Sequence, residues 1–432
     1  MTNTNHSSVF KPSNGNNESG PTLKCTYRAH KNTVNHVDFS VDASKMVTCS
    51  SDGEVVFWEL VAGTEATRSY SLKGHKDVVH CVNFSPDGSY FVSCSRDRTV
   101  CLWRISHDKP SSEPIVYNCH TNTVRYVACS PATASSPDGG EYFATASDDK
   151  TVKVWSAGCK NKQIALLRGH KNWVRCCKYC PNDEQLIASC GDDSNIIIHD
   201  LRVGTGYSEE MISKSGAKFT SLDWYPGNRY LIAVGSHDGK VRLFDRRTKK
   251  TLQCYSAHTN CVNHVNFHSS GNYLISSSDD STSKILDLLE GRVLYTLARH
   301  TGPVTCAKFN SEGKLFSSVG SDTLVNLWSS NIVTDYRRSF DEQILNQSKN
   351  RKRISNDGMD KHLFGSNSVD GFDVRAMLDN FNPFKSSNTS PKNKSNSTLD
   401  RIVDQLEILA QSLSNLENRV ASIEDKLSMA YK

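Results

Sequence analysis

A motif that usually begins with histidine recurs along most of this 432-residue chain. The six clear copies are HKNTVNHVDFS at 30, HKDVVHCVNFS at 75, HTNTVRYVACS at 120, HKNWVRCCKYC at 170, HTNCVNHVNFH at 258 and HTGPVTCAKFN at 300. A degenerate copy has Ser215 in place of the histidine and continues through KFTSLDWYP. The seven starts lie 45, 45, 50, 45, 43 and 42 residues apart. Such a period indicates a repeat architecture in which each copy forms one supersecondary unit.

Each copy also carries a second signature, in which an acidic turn precedes an alternating strand that ends in a large side chain. Four copies end in tryptophan: Trp58, Trp103, Trp155 and Trp328. The other three place His199, Phe244 and Leu286 there, each followed by an aspartate. A twisted four-stranded sheet cannot bury both of its faces alone, so such sheets stack radially until the ring closes. The repeats therefore predict an all-β, seven-bladed propeller over residues 22–331.

Together the two signatures resemble the WD-repeat family over residues 22 to about 331. The resemblance implies that His, Ser, Asp and Trp form a hydrogen-bonded set inside a blade. The implied sets are His30, Ser50, Asp52 and Trp58; His75, Ser95, Asp97 and Trp103; and His120, Ser147, Asp149 and Trp155. Combinations of His, Asp and Ser also occur in hydrolases, but an active site is normally unique. Three equivalent copies indicate a structural role, and no catalytic residue is predicted.

Closure of the ring needs an outer strand for the last repeat, and none follows Trp328. The segment LKCTYRA at 23–29 precedes the first histidine at the position where an outer strand precedes each later one. We therefore expect the N-terminal strand to complete the last blade and tie the two ends of the ring together.

Composition excludes several function classes. The 15 cysteines show no compact disulfide spacing and mostly lie in apolar strand patterns, as expected of small buried side chains in a reduced, intracellular protein. Cys177 and Cys180 form a CxxC without a second ligand pair, so we interpret them as strand core and predict neither a metal site nor a cofactor. A net charge of +5 without a dense basic stripe argues against nucleic acid as a partner. No apolar run reaches about 18 residues, so no membrane span is expected.

Outside the repeats the composition is polar, and residues 1–21 and 332–397 are predicted to be disordered. KNRKR at 349–353 fits a solvated charge run better than a nuclear signal. The mixed patch at 373–384 fits either a marginal helix or a linear binding motif.

Residues 398–430 are predicted to form a coiled coil. Apolar residues alternate at spacings of three and four for about four heptads: Leu399, Ile402, Leu406, Leu409, Leu413, Leu416, Val420, Ile423 and Leu427. A helix docked on the propeller is the alternative, although it would usually present a broader apolar stripe. The heptads favour self-association into a homo-oligomer whose size stays open.

A candidate protein-binding face follows from the loops beside each histidine, which share one face of a propeller. There Arg96, Arg125, Trp173 and Arg175 combine an aromatic ring with guanidinium groups, a composition typical of interface hot spots. The alternative is that Trp173 packs between blades while the arginines are solvated or pair with Asp77 and Asp149.

Longer stretches carry a narrower resemblance, among them GHKDVVHCVNFSPDGSYFVSCSRDRTVCLW and the terminal TLDRIVDQLEILAQSLSNLENRVASIEDKL. Propeller and terminal heptads, in this order, resemble the centriolar family called proteome of centriole protein one. The resemblance implies a non-enzymatic scaffold of centrioles, centrosomes and ciliary basal bodies, with centriolar or microtubule-associated partners in the cytoplasm and cytoskeleton. A substrate receptor of a ubiquitin ligase is the alternative. An enzyme is not expected, because the chain has no P-loop, GxSxG elbow or HExxH motif.

Overall fold

The computed structural model describes residues 9–10, 20–61, 65–131, 141–203, 208–212 and 216–332. These residues form seven antiparallel sheets, which confirms the prediction of an all-β, seven-bladed propeller. The single helical turn in these ranges is the 3-10 segment Leu201–Val203. None of their helices is long and apolar enough to cross a membrane. The predicted linker at 332–397, apart from Ile332, and the predicted coiled coil at 398–430 lie outside the described residues.

Each blade is a four-stranded meander that starts at the central channel and ends at the outer edge. From inner to outer strand, blade 1 contains Val34–Phe39, Lys45–Ser50, Glu54–Val61 and Glu65–Lys73. Blade 2 contains Val79–Phe84, Tyr90–Ser95, Thr99–Ser106 and Ile115–Asn118, with Lys109–Pro110 also paired to its third strand. Blade 3 contains Val124–Cys129, Tyr142–Ser147, Val152–Ser156 and Gln163–Leu167. Blade 4 contains Val174–Cys180, Asp183–Gly191, Asn195–Asp200 and Ser208–Ile212.

The remaining three blades repeat the pattern. Blade 5 contains Phe219–Trp224, Leu231–Ser236, Val241–Asp245 and Lys250–Tyr255. Blade 6 contains Val262–Phe267, Tyr273–Ser278, Ser283–Asp287 and Arg292–Leu297. Blade 7 contains Val304–Phe309, Leu315–Gly320, Val325–Ser329 and, from the other end of the chain, Thr22–Tyr27.

The ring closes through that N-terminal strand. Thr22–Tyr27 pairs antiparallel with Val325–Ser329, with Thr22 opposite Ser329 and Tyr27 opposite Val325. The predicted closure is therefore confirmed. Within the segment predicted to be disordered, the structure adds a short strand at Val9–Phe10, which pairs with Arg292–Leu297 at the outer edge of blade 6.

Neighbouring blades are joined by a repeated polar contact at the fifth residue of the inner strand. Asp38 accepts a hydrogen bond from the backbone N–H of Phe84 at 2.9 Å, and Asp223 accepts one from Phe267 at 2.7 Å. Because each of these carboxylates pairs an N–H of the next blade that would otherwise lie unsatisfied in a dry interface, the contact fixes the blades against each other. The loops at the rim are consequently carried by a rigid frame.

Most of the cysteines are buried, as predicted. Cys176, Cys177 and Cys180 are buried in the inner strand of blade 4. All 15 cysteines are free thiols, and most of them are buried. The CxxC thus belongs to the packing of one strand.

Candidate functional site

Six blades contain a largely buried hydrogen bond between the motif histidine and the aspartate of the acidic turn. The Nδ1 to Oδ distances lie between 2.7 and 3.2 Å. The six pairs are His30–Asp52, His75–Asp97, His120–Asp149, His170–Asp193, His258–Asp280 and His300–Asp322. Each pair ties the loop before the inner strand to the turn between the second and third strands.

The hydroxyl that joins the histidine to the tryptophan differs from the predicted one. In blade 2, His75 Nε2 and Trp103 Nε1 lie 2.9 and 3.0 Å from the hydroxyl of Ser93, and the predicted Ser95 instead accepts a bond from the backbone N–H of Asp97. The same correction replaces Ser50 by Thr48 in blade 1 and Ser147 by Thr145 in blade 3. Both positions point to the same side of the strand because side chains alternate with a period of two. The spacing of residues in the sequence therefore could not show which of the two hydroxyl groups binds the tryptophan.

Donors and acceptors in the set run in one direction. The indole N–H of Trp103 donates to Ser93, whose hydroxyl donates to Nε2 of His75, and Nδ1–H donates to Asp97. Burial alone would raise the pKa of Asp97, but hydrogen bonds from His75, from the Thr99 hydroxyl and from the backbone N–H of Lys76 hold it well below its usual range. This direction gives every donor and acceptor of the set a partner.

This arrangement supports the structural interpretation over a catalytic one. The Ser93 side chain is fully buried, and its oxygen already accepts the tryptophan N–H, so a substrate could not reach it. The His–Asp pair recurs in six blades, whereas a catalytic set is normally unique. The sets act as staples inside the blades.

In blade 5, different hydrogen bonds take the place of the set formed by histidine, aspartate, hydroxyl and tryptophan. Ser215 lies outside the described residues, and the positions of the hydroxyl and the ring carry Val234 and Phe244. The guanidinium of Arg242 binds both Asp238 and the Ser236 hydroxyl from the third strand. An arginine on the strand thus holds the acidic turn that a histidine holds elsewhere, and the phenyl ring of Phe244 has no N–H that would need a partner.

A matched pair of substitutions separates the two serines of blade 2. We expect Ser93→Ala and Ser95→Ala each to lower the free energy of unfolding by about 1 to 3 kcal/mol, because each leaves buried polar groups unpaired. Only Ser93→Ala removes the acceptor of the Trp103 indole N–H, so only this variant should shift the corresponding indole resonance in an ¹⁵N–¹H NMR spectrum. A shift of equal size in Ser95→Ala would contradict the observed geometry.

The rim of the ring carries the predicted binding residues. Trp173 is 41% exposed, and the guanidinium carbons of Arg125 and Arg175 lie 5.7 and 5.1 Å from the centre of its ring. The structure therefore brings three of the four predicted residues together across blades 3 and 4. Arg96 pairs instead with Asp77 in blade 2, at 2.8 Å.

Each rim arginine is anchored by a carboxylate. Arg125 binds Asp148 and Arg175 binds Asp192, both at 2.7 Å. The partner considered for these arginines, Asp149, is instead occupied by His120. Asp148 and Asp192 directly follow the second strands of blades 3 and 4. The repeat pattern highlights the next aspartate in each turn, so it did not predict the role of these two.

Comparison with known families agrees with the repeats. Residues 21–59, 66–104 and 112–156 match the family described as WD domain, G-beta repeat. Residues 170–328 match the β-propeller described as nucleolar protein 10-like, N-terminal domain. The chain is a WD-repeat propeller protein. Both matches fall on blades seen in the structure.

Individual proteins that resemble this WD-repeat propeller have diverse names. The chain is 28% identical over 224 residues to guanine nucleotide-binding protein subunit beta of Arabidopsis thaliana, covering 49% of this chain and 55% of that protein. It is 29% identical over 305 residues to nuclear distribution protein PAC1 of Arthroderma benhamiae, covering 65% of each. It is 29% identical over 154 residues to pre-mRNA-processing factor 19 of Bos taurus, covering 34% of this chain and 29% of that protein. Less than two thirds of each relative is spanned, so the similarity indicates the shared repeats.

Proposed function

We propose that this WD-repeat propeller is a non-enzymatic scaffold that binds other proteins through the rim around Trp173 and acts at centrioles and basal bodies. The observation that carries the binding role is the exposed indole of Trp173 between two anchored guanidinium groups. We call Trp173, Arg125 and Arg175 the rim cluster.

The rim cluster has the physical properties of a binding hot spot. An exposed tryptophan offers a large apolar surface with few rotatable bonds, so its burial by a partner loses little conformational entropy. Asp148 and Asp192 hold the two arginines in place before any partner arrives. Preorganised aromatic and guanidinium groups are the side chains that contribute most to protein interfaces.

The cluster also restricts the chemistry of the partner. Each arginine has five N–H donors, and the carboxylate occupies only some of them. A segment that places an apolar side chain on the indole and a carboxylate or carbonyl beside it would complete the site. An acidic peptide segment with an aromatic or aliphatic anchor fits this description.

The centriolar part of the proposal is supported by sequence. The propeller repeats and the terminal heptads together, in this order, resemble the centriolar family named above. A propeller gives one binding face, and a self-associating coiled coil at 398–430 would multiply it. Linked copies bind an array of repeated sites about 10² to 10⁴ times more tightly than a single copy does, and the wall of a centriole is such an array.

Fluorescence microscopy of the tagged full chain tests this proposal. We expect the parent to colocalise with a centriole marker and to exchange slowly after photobleaching. Trp173→Ala should weaken retention at least about tenfold, as expected for a hot spot. Leu409→Asp combined with Leu416→Asp should speed exchange and reduce the mass measured by light scattering to that of a monomer.

Ile164→Ala is the matched control, because Ile164 is 46% exposed but lies on the outer strand of blade 3. It should leave retention unchanged. Retention of Trp173→Ala equal to that of the parent would remove the rim cluster from the proposal. Absence of the parent from centrioles would overturn the centriolar role, and recovery of a cullin complex with the chain would then favour the ubiquitin ligase receptor.

A further inference from the structure

The third residue of every inner strand belongs to a ring of seven equivalent positions around the channel. The seven are His36, Cys81, Tyr126, Cys176, Ser221, His264 and Cys306. The His36 ring lies 5.3 Å from that of His264 and 5.6 Å from that of Tyr126, so side chains of blades 1, 3 and 6 meet across the channel. Every one of the seven side chains carries a nitrogen, oxygen or sulfur atom.

Several members of this ring donate hydrogen bonds to backbone carbonyls of the following blade. The thiol of Cys81 donates to the carbonyl of Val127, and the thiol of Cys176 donates to that of Leu222. Nδ1 of His264 donates to the carbonyl of Ala307 at 3.0 Å. The strand that carries each residue is thereby linked to its neighbour, and the side chain is oriented.

Three members leave ligand atoms directed at one another. Nitrogen and sulfur atoms of His36, His264 and Cys306 all lie within 4.8 Å of each other, and the three residues are buried. Neither nitrogen of His36 nor Nε2 of His264 has a hydrogen-bond partner in the described structure. Buried polar atoms without a hydrogen-bond partner reduce the stability of the fold. A ligand bound between these atoms would remove that cost.

We propose that His36, His264 and Cys306 bind a zinc ion in the channel of the propeller. Two imidazoles and a thiolate are ligands that Zn²⁺ prefers, at bond lengths of about 2.0 to 2.3 Å. Ligand atoms around a tetrahedral ion of that size lie roughly 3.5 Å apart, so small side-chain rotations close the site. Three protein ligands leave the fourth position to a small ligand such as water.

The hydrogen bond made by the other ring nitrogen of His264 fits a role as a zinc ligand. Its Nδ1–H is held by a backbone carbonyl, which fixes the tautomer and leaves the lone pair of Nε2 directed into the cluster. A histidine that binds a metal through one ring nitrogen usually donates the N–H of its other nitrogen in this way.

Two lysine–aspartate pairs lie close to the cluster. Lys308 pairs with Asp38 at 2.6 Å, and Lys178 pairs with Asp223 at 2.9 Å. Both pairs lie two residues beyond the ring along the inner strands. On binding, the Cys306 thiol would release its proton to water, and the resulting thiolate would offset one of the two charges of the cation.

Titration of the full-length protein with zinc tests the proposal. Metal-free protein with Cys159→Ala, which removes an exposed thiol, should bind one equivalent of Zn²⁺ measured against a chromophoric chelator. Binding of Co²⁺ should give the near-ultraviolet absorption of a sulfur-to-cobalt bond. Cys306→Ala and, separately, His264→Gln in this background should remove the one-equivalent binding and the absorption band.

Cys119→Ala is the control, because Cys119 is buried but lies outside the cluster. It should bind zinc as the parent does. The absorption band of the parent keeps the proposal testable even where a variant folds poorly. Equal zinc binding by the parent and a folded Cys306→Ala variant would overturn the site, as would the absence of stoichiometric binding. Stoichiometric Cu⁺ binding without Zn²⁺ binding would overturn the choice of metal.

Discussion

Deletion of residues 22–27 should lower the melting temperature of the propeller by about 8 °C or more. The strand pairs along its length with Val325–Ser329, and Leu23 and Tyr27 pack against the core beside it. Burying a side chain of this size contributes about 1.5 to 3 kcal/mol, so partial loss of two of them plus the strand pairing costs several kcal/mol. A domain of this size loses about 2 °C for each kcal/mol. Calorimetry of the deleted and parent proteins measures the difference.

A synthetic peptide of residues 20–29 provides the control. Added to the deleted protein, it should pair with the exposed strand and raise the melting temperature in a concentration-dependent way. A peptide of the same composition in scrambled order should not. An unchanged melting temperature after the deletion would contradict the conclusion that this strand closes the ring. We also expect the deleted protein to aggregate, because an unpaired edge strand recruits other chains.

Acidification should unfold the propeller between about pH 6 and pH 4. Burial lowers the pKa of eight histidines: His30, His36, His80, His120, His199, His258, His264 and His268. The unfolded chain takes up protons near pH 6.5, whereas the folded chain resists them. Their stabilisation is thus present above pH 6.5 and is lost as the pH falls, by up to about 1.4 kcal/mol per pH unit for each histidine. Urea unfolding at constant ionic strength and several pH values measures this slope.

Protonation of the aspartates in the acidic turns should destabilise the propeller at still lower pH. Hydrogen bonds from the histidine and from backbone N–H groups outweigh burial and lower the pKa of each turn aspartate: Asp52, Asp97, Asp149, Asp193, Asp280 and Asp322. A depressed carboxyl pKa gives stabilisation above the unfolded value of about 4, and it is lost below that value. The histidines therefore set the onset of acid unfolding.

His199→Phe isolates one of these histidines. Burial, assisted by the charge of His170, lowers the pKa of His199 to about 4, and Phe244 occupies the equivalent position in blade 5. The substitution should reduce the loss of stability between pH 6.5 and pH 4 by roughly 3 kcal/mol. An unchanged dependence on pH would show that protonation of His199 does not contribute.

Periodicity made the fold readable from the sequence, because each repeat forms the same unit. Blade number and ring closure followed from the spacing of the histidines and from the missing strand after Trp328. The hydroxyl that binds the tryptophan could not be predicted in this way, since Ser93 and Ser95 lie on the same side of a strand and both are buried. Only coordinates show which of them faces the indole.

Contacts between blades were beyond the reach of the repeat pattern. Equivalent strands of neighbouring blades lie 42 to 50 residues apart in sequence, and His36 and Cys306 belong to the first and the last repeat. Alignment of the repeats shows the residues that they have in common. The channel cluster is instead formed by residues that are not common to all of the repeats. Within blade 3, the pattern also did not show which of the adjacent residues Asp148 and Asp149 pairs with Arg125 and which with His120.

The closing strand also determines how the ring would respond to mechanical tension. Thr22 lies opposite Ser329, so the chain enters and leaves blade 7 at the same end of one antiparallel pair. Hydrogen bonds in such a pair run perpendicular to the strands. A force that pulled the two flanking segments apart would therefore load these bonds one after another, as in unzipping, rather than all together in shear. Blade 7 would open under a smaller force than a sheared pair would withstand.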